Sequence, residues 1–215
     1  MSRLVFFDLD GTISRRDTLL PYVTGFLLRR PWRAWRLLVL LPHLAAFVAG
    51  RGDRGILKGE LVHAGMGGAS ADEVARWTEA FLPRLFARGL HPDAVAAIDA
   101  HRRAGDHLVL MSASVDLYVP EIARRLGFDE TVCSGVRWQS GALDGHLATP
   151  NRRDEEKARC FREVAARHPG LPTVAYGNTE SDLPHMRLAD RAVMVNPSKT
   201  LRTRCEAVGI ETVRW

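Results

Sequence analysis

Cysteine is scarce: Cys133, Cys160 and Cys205 are the only three in 215 residues, an odd number without metal or redox spacing. That argues against a disulfide framework and fits a reducing compartment. No apolar run reaches the roughly 20 residues that a helix needs to span a bilayer. The N-terminus reads as a strand rather than as a charged region leading into a signal segment, so a cytoplasmic protein is expected. Repeats and low-complexity tails are missing too. So are a recognition-helix pattern, a zinc finger and an aromatic strand platform, and no nucleic-acid partner is expected.

What is present is an ordinary globular composition, 46% hydrophobic and 26% charged, enough for one full core with a smaller appendage. The net charge of +5 is unevenly placed. Arg15, Arg16, Arg29, Arg30, Arg33, Arg36, Arg51 and Arg54 crowd the first quarter, where they could steer an anionic partner.

The stretch Leu4-Val5-Phe6-Phe7-Asp8-Leu9-Asp10-Gly11-Thr12 is an apolar strand that ends in two aspartates, a glycine and a threonine. Residues 17–88 then read as helical, with breaks at Pro31, Pro42, Gly50–Gly55 and Gly65–Gly68. From Pro92 helix and strand alternate: a helix over 92–104, a strand over Leu108–Met111, a helix over 116–126 stopped at Gly127. A small β excursion is expected over 130–148 and a helix over 154–167. A strand at Thr173–Tyr176, a short helix at Asp182–Leu188, a strand at Ala192–Val195, a helix over 198–207 and a strand at Glu211–Val213 complete the chain. The expected fold is α/β: a doubly wound, mostly parallel Rossmann-like sheet with an inserted α-helical cap. Residues 1–15 and 90–215 would form the core, and 16–89 the cap, lying over the carboxyl end of the sheet where such folds bind ligands.

Polar residues recur at the strand ends. Asp8 and Asp10 can share one cleft, one attacking phosphorus and the other handling a proton. Ser112 follows the second strand; its hydroxyl suits a phosphate oxygen or a helix N-cap. Lys157 falls in the first turn of a helix, where a cation opposes the helix dipole; it suits phosphate neutralisation or plain solvent exposure. Gly177 permits a turn, and Asn178 and Asp182 offer oxygen ligands for a hard cation such as Mg²⁺, or an Asx-rich turn with Asp182 as a cap.

Together Asp8-Leu9-Asp10-Gly11-Thr12, Ser112, Lys157 and Gly177 through Asp182 resemble the four motifs of the haloacid dehalogenase superfamily of phosphohydrolases. The helical insertion after the first motif resembles the subclass that includes phosphoserine phosphatase. The resemblance implies an Mg²⁺-dependent phosphomonoester hydrolase with Asp8 as the nucleophile that becomes an aspartyl-phosphate. Asp10 would protonate the leaving group and then activate water, and its backbone carbonyl would bind the metal. Gly11 and Thr12 would fix the loop, and Ser112 and Lys157 would bind the phosphoryl group. Asp8, Asp10, Asn178 and Asp182 would form the metal site. The family usually has aspartate where this chain has Asn178, so charge compensation is smaller here.

The substrate is left open between a phosphorylated small molecule and an anionic phospholipid. Residues 19–49 are unusually apolar, and Leu37–Val48 follows the basic-aromatic patch Arg29-Arg30-Pro31-Trp32-Arg33-Ala34-Trp35-Arg36. This run suits the buried core of the cap first, then a peripheral contact at the inner membrane face, then an oligomer contact. The patch is loosely similar to that of phosphatidylglycerophosphate phosphatases, which makes a phospholipid monoester one alternative. Phosphoserine is another, for which Asp17 would be the acidic cap residue. A noncatalytic phosphate-binding relative is the third.

Overall fold

The computed structural model describes residues 2–215. Strand β1 (Leu4–Phe7) is wholly buried and sends alternate side chains to opposite faces. Val5 and Phe7 join one core, with Phe7 stacked on Tyr176 at 4.3 Å; Leu4 and Phe6 join the other, with Phe6 against Phe161. Both faces are covered, so the strand needs no polar side.

The insertion follows β1: α1 (Leu19–Leu28), a 3₁₀ stretch Pro31–Val39, α2 (Leu40–Val48), α3 (Arg54–Met66) and α4 (Ala71–Arg84). Asp53 caps α3, and Ser70 with Glu73 forms a capping box on α4. The chain leaves and re-enters the core at one paired point. Arg15 N–H donates to Gly89 O at 2.7 Å, and His91 N–H to Ile13 O at 2.9 Å.

Then come α5 (Pro92–Arg103), β2 (His107–Val115), α6 (Val119–Leu126), β3 (Glu130–Ser134) and the antiparallel hairpin of β4 (Val136–Gln139) and β5 (Ala142–Leu147). The chain closes with α7 (Glu155–Arg167), β6 (Thr173–Gly177), α8 (Leu183–Met186), β7 (Arg191–Val195), α9 (Lys199–Ala207) and β8 (Glu211–Val213). Six strands form one parallel sheet in the order β3-β2-β1-β6-β7-β8. It is the mixed α/β, Rossmann-like arrangement expected, with β1 at its centre.

Four details differ from expectation. Residues 130–148 are not one excursion: β3 pairs with β2 as an edge of the main sheet, and only β4–β5 stand apart. Strand β2 runs on to Val115 through a register shift, so Ser112 lies inside it and caps no helix. Pro42 does not break α2, because it sits in the first turn, where no intrahelical N–H bond is lost.

The fourth difference concerns the apolar run 37–48, expected first as cap core. Neither the 3₁₀ stretch nor α2 contains a buried residue. Tyr22, Phe26, Val62, Met66 and Trp77 from α1, α3 and α4 fill the cap interior instead. Pro31–Val48 packs on α3 from outside, and among the described residues no further layer covers it. Among the described residues no helix is long and apolar enough to cross a membrane.

Candidate active site

A cavity of about 320 Å³ opens at the carboxyl end of β1, β2 and β6, below the insertion. Asp8, Asp10, Gly11, Lys157, Asn178 and Asp182 line it, as does Asp17 from the start of the insertion. Residues more than 140 positions apart thus converge because parallel strands bring their carboxyl ends to one edge.

Lys157, almost wholly buried in the first turn of α7, donates to Asp8 Oδ1 at 2.6 Å and to Asp182 Oδ1 at 2.7 Å. One ammonium serves two carboxylates. Burial works against its charge, but Asp182 and Asp8 outweigh this and hold its pKa above the ordinary value. Burial pushes Asp8 up to about 7; Lys157 opposes the rise and Asp182 adds to it. Burial also acts on Asp182, yet Lys157 and the N–H groups of its turn hold that carboxyl below the usual range. Asp182 Oδ2 accepts from Asn178 N, Thr179 N and Thr179 Oγ1 at 3.0–3.1 Å, which closes the loop after β6. Gly177 is required there: a Cβ would stand 2.6 Å from Asp182 Cβ.

Asp10 is held differently. Its Oδ1 accepts from Thr18 N at 2.8 Å and Thr18 Oγ1 at 2.6 Å, and its Oδ2 from Ser114 Oγ at 2.6 Å. Burial raises its pKa while Ser114 and Thr18 pull it down, leaving it above the ordinary value. Thr12 Oγ1 donates to Asp8 Oδ2 at 3.1 Å. Gly11 has φ +84°, and a Cβ on it would fall 2.0 Å from Asn178 Nδ2, so the asparagine amide lies directly over the loop.

Ser112 is fully buried; its Oγ accepts Ser114 N–H at 3.0 Å, and Ala113 and Ser114 form the cavity wall beside it. Asp17 is exposed on the rim and accepts Leu20 N–H at 2.9 Å, at the start of α1. Sequence reasoning missed Thr18, Ser114 and Lys58. Ser114 was within reach, being two residues from Ser112 on a strand and so on the same side. Thr18 carried no signal. Lys58, on α3, reaches down to Ala113 O and Asn151 Oδ1, both at 2.5 Å, and burial lowers its pKa to about 8. Only folding brings it to the cavity.

Hard-cation donors are available. Asn178 Oδ1 is buried without a hydrogen-bond partner, and the Asp8 carboxylate lines the same cavity. A buried amide oxygen left unpaired costs free energy, which coordination to a cation would remove. Asp182 accepts four hydrogen bonds within the protein, three of them on Oδ2, whereas each Asp8 oxygen accepts one; this suits Asp182 to contact through water and leaves Asp8 free lone pairs for direct ligation. The residues fit Mg²⁺.

A six-stranded parallel sheet with carboxylates at its carboxyl edge and a helical insertion after β1 defines a capped, Rossmann-like class of α/β proteins. The family model for haloacid dehalogenase-like hydrolases matches residues 5–187. The Caulobacter vibrioides protein CicA is 36% identical over 194 residues, covering 87% of this chain and 83% of that protein. A Mycobacterium tuberculosis protein described as a probable phosphatase is 30% identical over 220 residues, covering 95% of this chain and 72% of its own. The solved structure of a probable phosphoserine phosphatase from Vibrio cholerae matches with a TM-score of 0.74 at 15% identity, over 99% of this chain and 60% of that one. The chain belongs to the haloacid dehalogenase-like hydrolases, and its helical insertion has the form found in phosphoserine phosphatase-like structures.

Proposed function

We propose that the protein is an Mg²⁺-dependent phosphomonoester hydrolase working through an aspartyl-phosphate on Asp8. The observation that carries this reading is the buried Asp8–Lys157–Asp182 cluster beside the separately held Asp10. Two carboxylates in one cavity have unlike surroundings, as split nucleophile and proton-transfer roles require. Residues 16–89 act as the cap over this cavity, joined to the core at the Ile13–Arg15 and Gly89–His91 pairing.

An Asp8 oxygen attacks phosphorus, the bond from phosphorus to the ester oxygen breaks, and Asp10 gives its proton to the leaving alkoxide. Asp10 then takes a proton from water, whose oxygen attacks phosphorus; the bond to Asp8 breaks and inorganic phosphate leaves. Lys157 meets the charge on the phosphoryl oxygens. Ser112 Oγ accepts from Ser114 N and so keeps its own proton for a phosphoryl oxygen. Thr18 and Ser114 aim the Asp10 carboxyl. Asp8, the Asp10 backbone carbonyl, Asn178 and Asp182 would hold Mg²⁺, which supplies charge neutralisation between Asp8 and the phosphate dianion.

A more specific reading concerns the substrate. Trp32, Trp35, Leu28, Leu38, Leu41 and Val48 are 58–79% exposed on the outer face of the insertion, among Arg29, Arg33 and Arg36. Such a face favours a phosphomonoester presented on an anionic lipid surface over soluble serine phosphate, with the protein peripheral on the cytoplasmic side.

The test is phosphate release from an aryl phosphate, with and without chelator, together with mass spectrometry of Asp8 after acid quench. Turnover that stops with chelator and a phosphorylated Asp8 are expected. Turnover untouched by chelator, or a phosphate on another residue, would overturn the reading. A parallel screen of lipid and soluble monoesters decides the substrate; selective turnover of serine phosphate would eliminate the lipid.

A further inference from the structure

Away from the cavity, α3 and β5 meet, and two imidazoles and two carboxylates converge there. Glu60 and His63 are one turn apart on α3; Asp144 and His146 are two apart on β5, and so share a face. The two backbones touch: a Cβ on Gly145 would stand 2.7 Å from His63 N, and one on Gly59 3.2 Å from His146 Cα. The side chains are therefore carried by packed elements rather than by loops.

Asp144 Oδ1 lies 2.9 Å from His146 Nδ1 and 3.5 Å from His63 Nδ1, and donor atoms of all three residues fall within 4.8 Å of one another. Tetrahedral zinc with nitrogen and oxygen ligands at about 2.0–2.2 Å needs donors roughly 3.3–3.6 Å apart. The far nitrogen of His146, Nε2, is 3.2 Å from Glu60 Oε1. Without an ion, His146 Nδ1–H donates to the Asp144 carboxylate; with an ion in that place the ring proton would sit on Nε2 and donate to Glu60, the arrangement by which an outer carboxylate orients a ligating imidazole. Asp144 Oδ2 pairs with Arg137 Nε at 3.0 Å, which leaves Oδ1 turned toward the two imidazoles. His146 and Arg137 line a groove of about 750 Å³, which gives an ion an entry path.

We propose that His63, Asp144 and His146 form a binding site for a divalent transition-metal ion of the zinc class, with Glu60 as the outer partner of His146. Imidazole donors select such ions over Mg²⁺, so the site is chemically distinct from the oxygen-lined cavity. His63 Nδ1 is 2.7 Å from Asp144 O; on binding, its proton moves to Nε2 and the metal bond replaces that hydrogen bond. The ion would pin α3 to the hairpin. The same helix carries Lys58 into the active-site cavity, so binding also holds that residue in place.

The full chain, stripped of metal and then saturated with Mg²⁺, is titrated with Co²⁺. One equivalent should give the intense visible band of tetrahedral nitrogen–oxygen coordination. Zn²⁺ at a hundredfold excess over its Kd should raise Tm by about 5–10 °C. The double variant His63→Ala/His146→Ala should lose both effects. Glu60→Gln keeps every ligand, and should weaken binding roughly 10–100-fold with the band shape retained. No band in the parent protein overturns the site. A band and a Tm rise unchanged in the double variant also overturn it, since the ion would then sit elsewhere, as at His107, Glu130 and His168.

Discussion

Two stretches of this chain are almost equally apolar and have opposite fates. Leu4–Phe7 is wholly buried; in Leu37–Val48 no residue is. The first is a central strand with a layer on each face, so every side chain finds a partner. The second lies on the outside of a cap whose interior is already filled by Tyr22, Phe26, Met66 and Trp77. Hydrophobicity states that a segment gains by leaving water. Whether anything is there to receive it depends on the layers around it. An outer apolar face among arginines is what an anionic surface could receive.

The comparison can be broken most directly at the end of the buried strand. Asp8→Asn should reduce phosphatase activity by roughly 10³-fold or more, the scale seen when a nucleophile is removed. The same change should raise Tm above pH 7, because burial pushes the Asp8 pKa up to about 7, so the folded state loses stability as Asp8 ionises, and a neutral amide removes that cost. Activity within tenfold of the parent would remove Asp8 from the mechanism.

Truncation within the two runs comes next. Phe7→Ala should cost about 3–5 kcal/mol in urea unfolding, since the ring is buried and stacked on Tyr176. Leu41→Ala should stay within about 0.5 kcal/mol, as for other exposed sites. Equal losses would mean that the outer run is covered in solution, and would point to self-association.

The polar clamp beside the start of β1 sharpens the buried side. Asp106 accepts from Arg3 Nη2 at 2.8 Å and lies 2.7 Å from His101 Nδ1. Burial works against its charge, but the bonds from Arg3 and His101 hold its pKa below the ordinary 3.8. A depressed folded value means that the stabilisation is complete above 3.8 and is lost as pH falls through the lower folded value. Asp106→Asn should therefore cost about 1–3 kcal/mol at pH 7, with parent and variant converging as acid protonates Asp106. A pH-independent difference would show that packing, not charge, is at work.

The smallest effect on stability belongs to the outer face. Trp32→Ala/Trp35→Ala should change unfolding free energy by less than about 1 kcal/mol, because both rings are exposed. It should nevertheless abolish co-sedimentation with anionic vesicles, and in the parent protein high salt should weaken that attachment. Failure of the parent to bind vesicles would leave the outer run to a protein contact.

Much of the scaffold was legible because strand and helix periods are local. β1, β6 and β7 stood out as short apolar runs, and α5, α7 and α9 as patterned segments between turns. The convergence of Asp8, Lys157, Asn178 and Asp182 on one cavity followed from a single topological rule, since parallel strands present their carboxyl ends together. Ser112 was harder, because the length of β2 depends on its partner β3 and on the register shift between them.

By itself the sequence determined the alternation of helix and strand, the carboxylates past β1 and the place of the insertion, all of which rest on neighbours within a few residues. Tertiary structure alone decided the rest. It placed Thr18 and Ser114 on Asp10, lowered Lys58 from α3 to Ala113 and Asn151, and set His63 against Asp144 and His146. It also left Pro31–Val48 uncovered. Apart from Thr18, which folds back on Asp10 from eight residues away, these contacts join segments tens to a hundred residues apart, and burial, pairing and pKa belong to the assembled surroundings of a side chain rather than to its place in the chain.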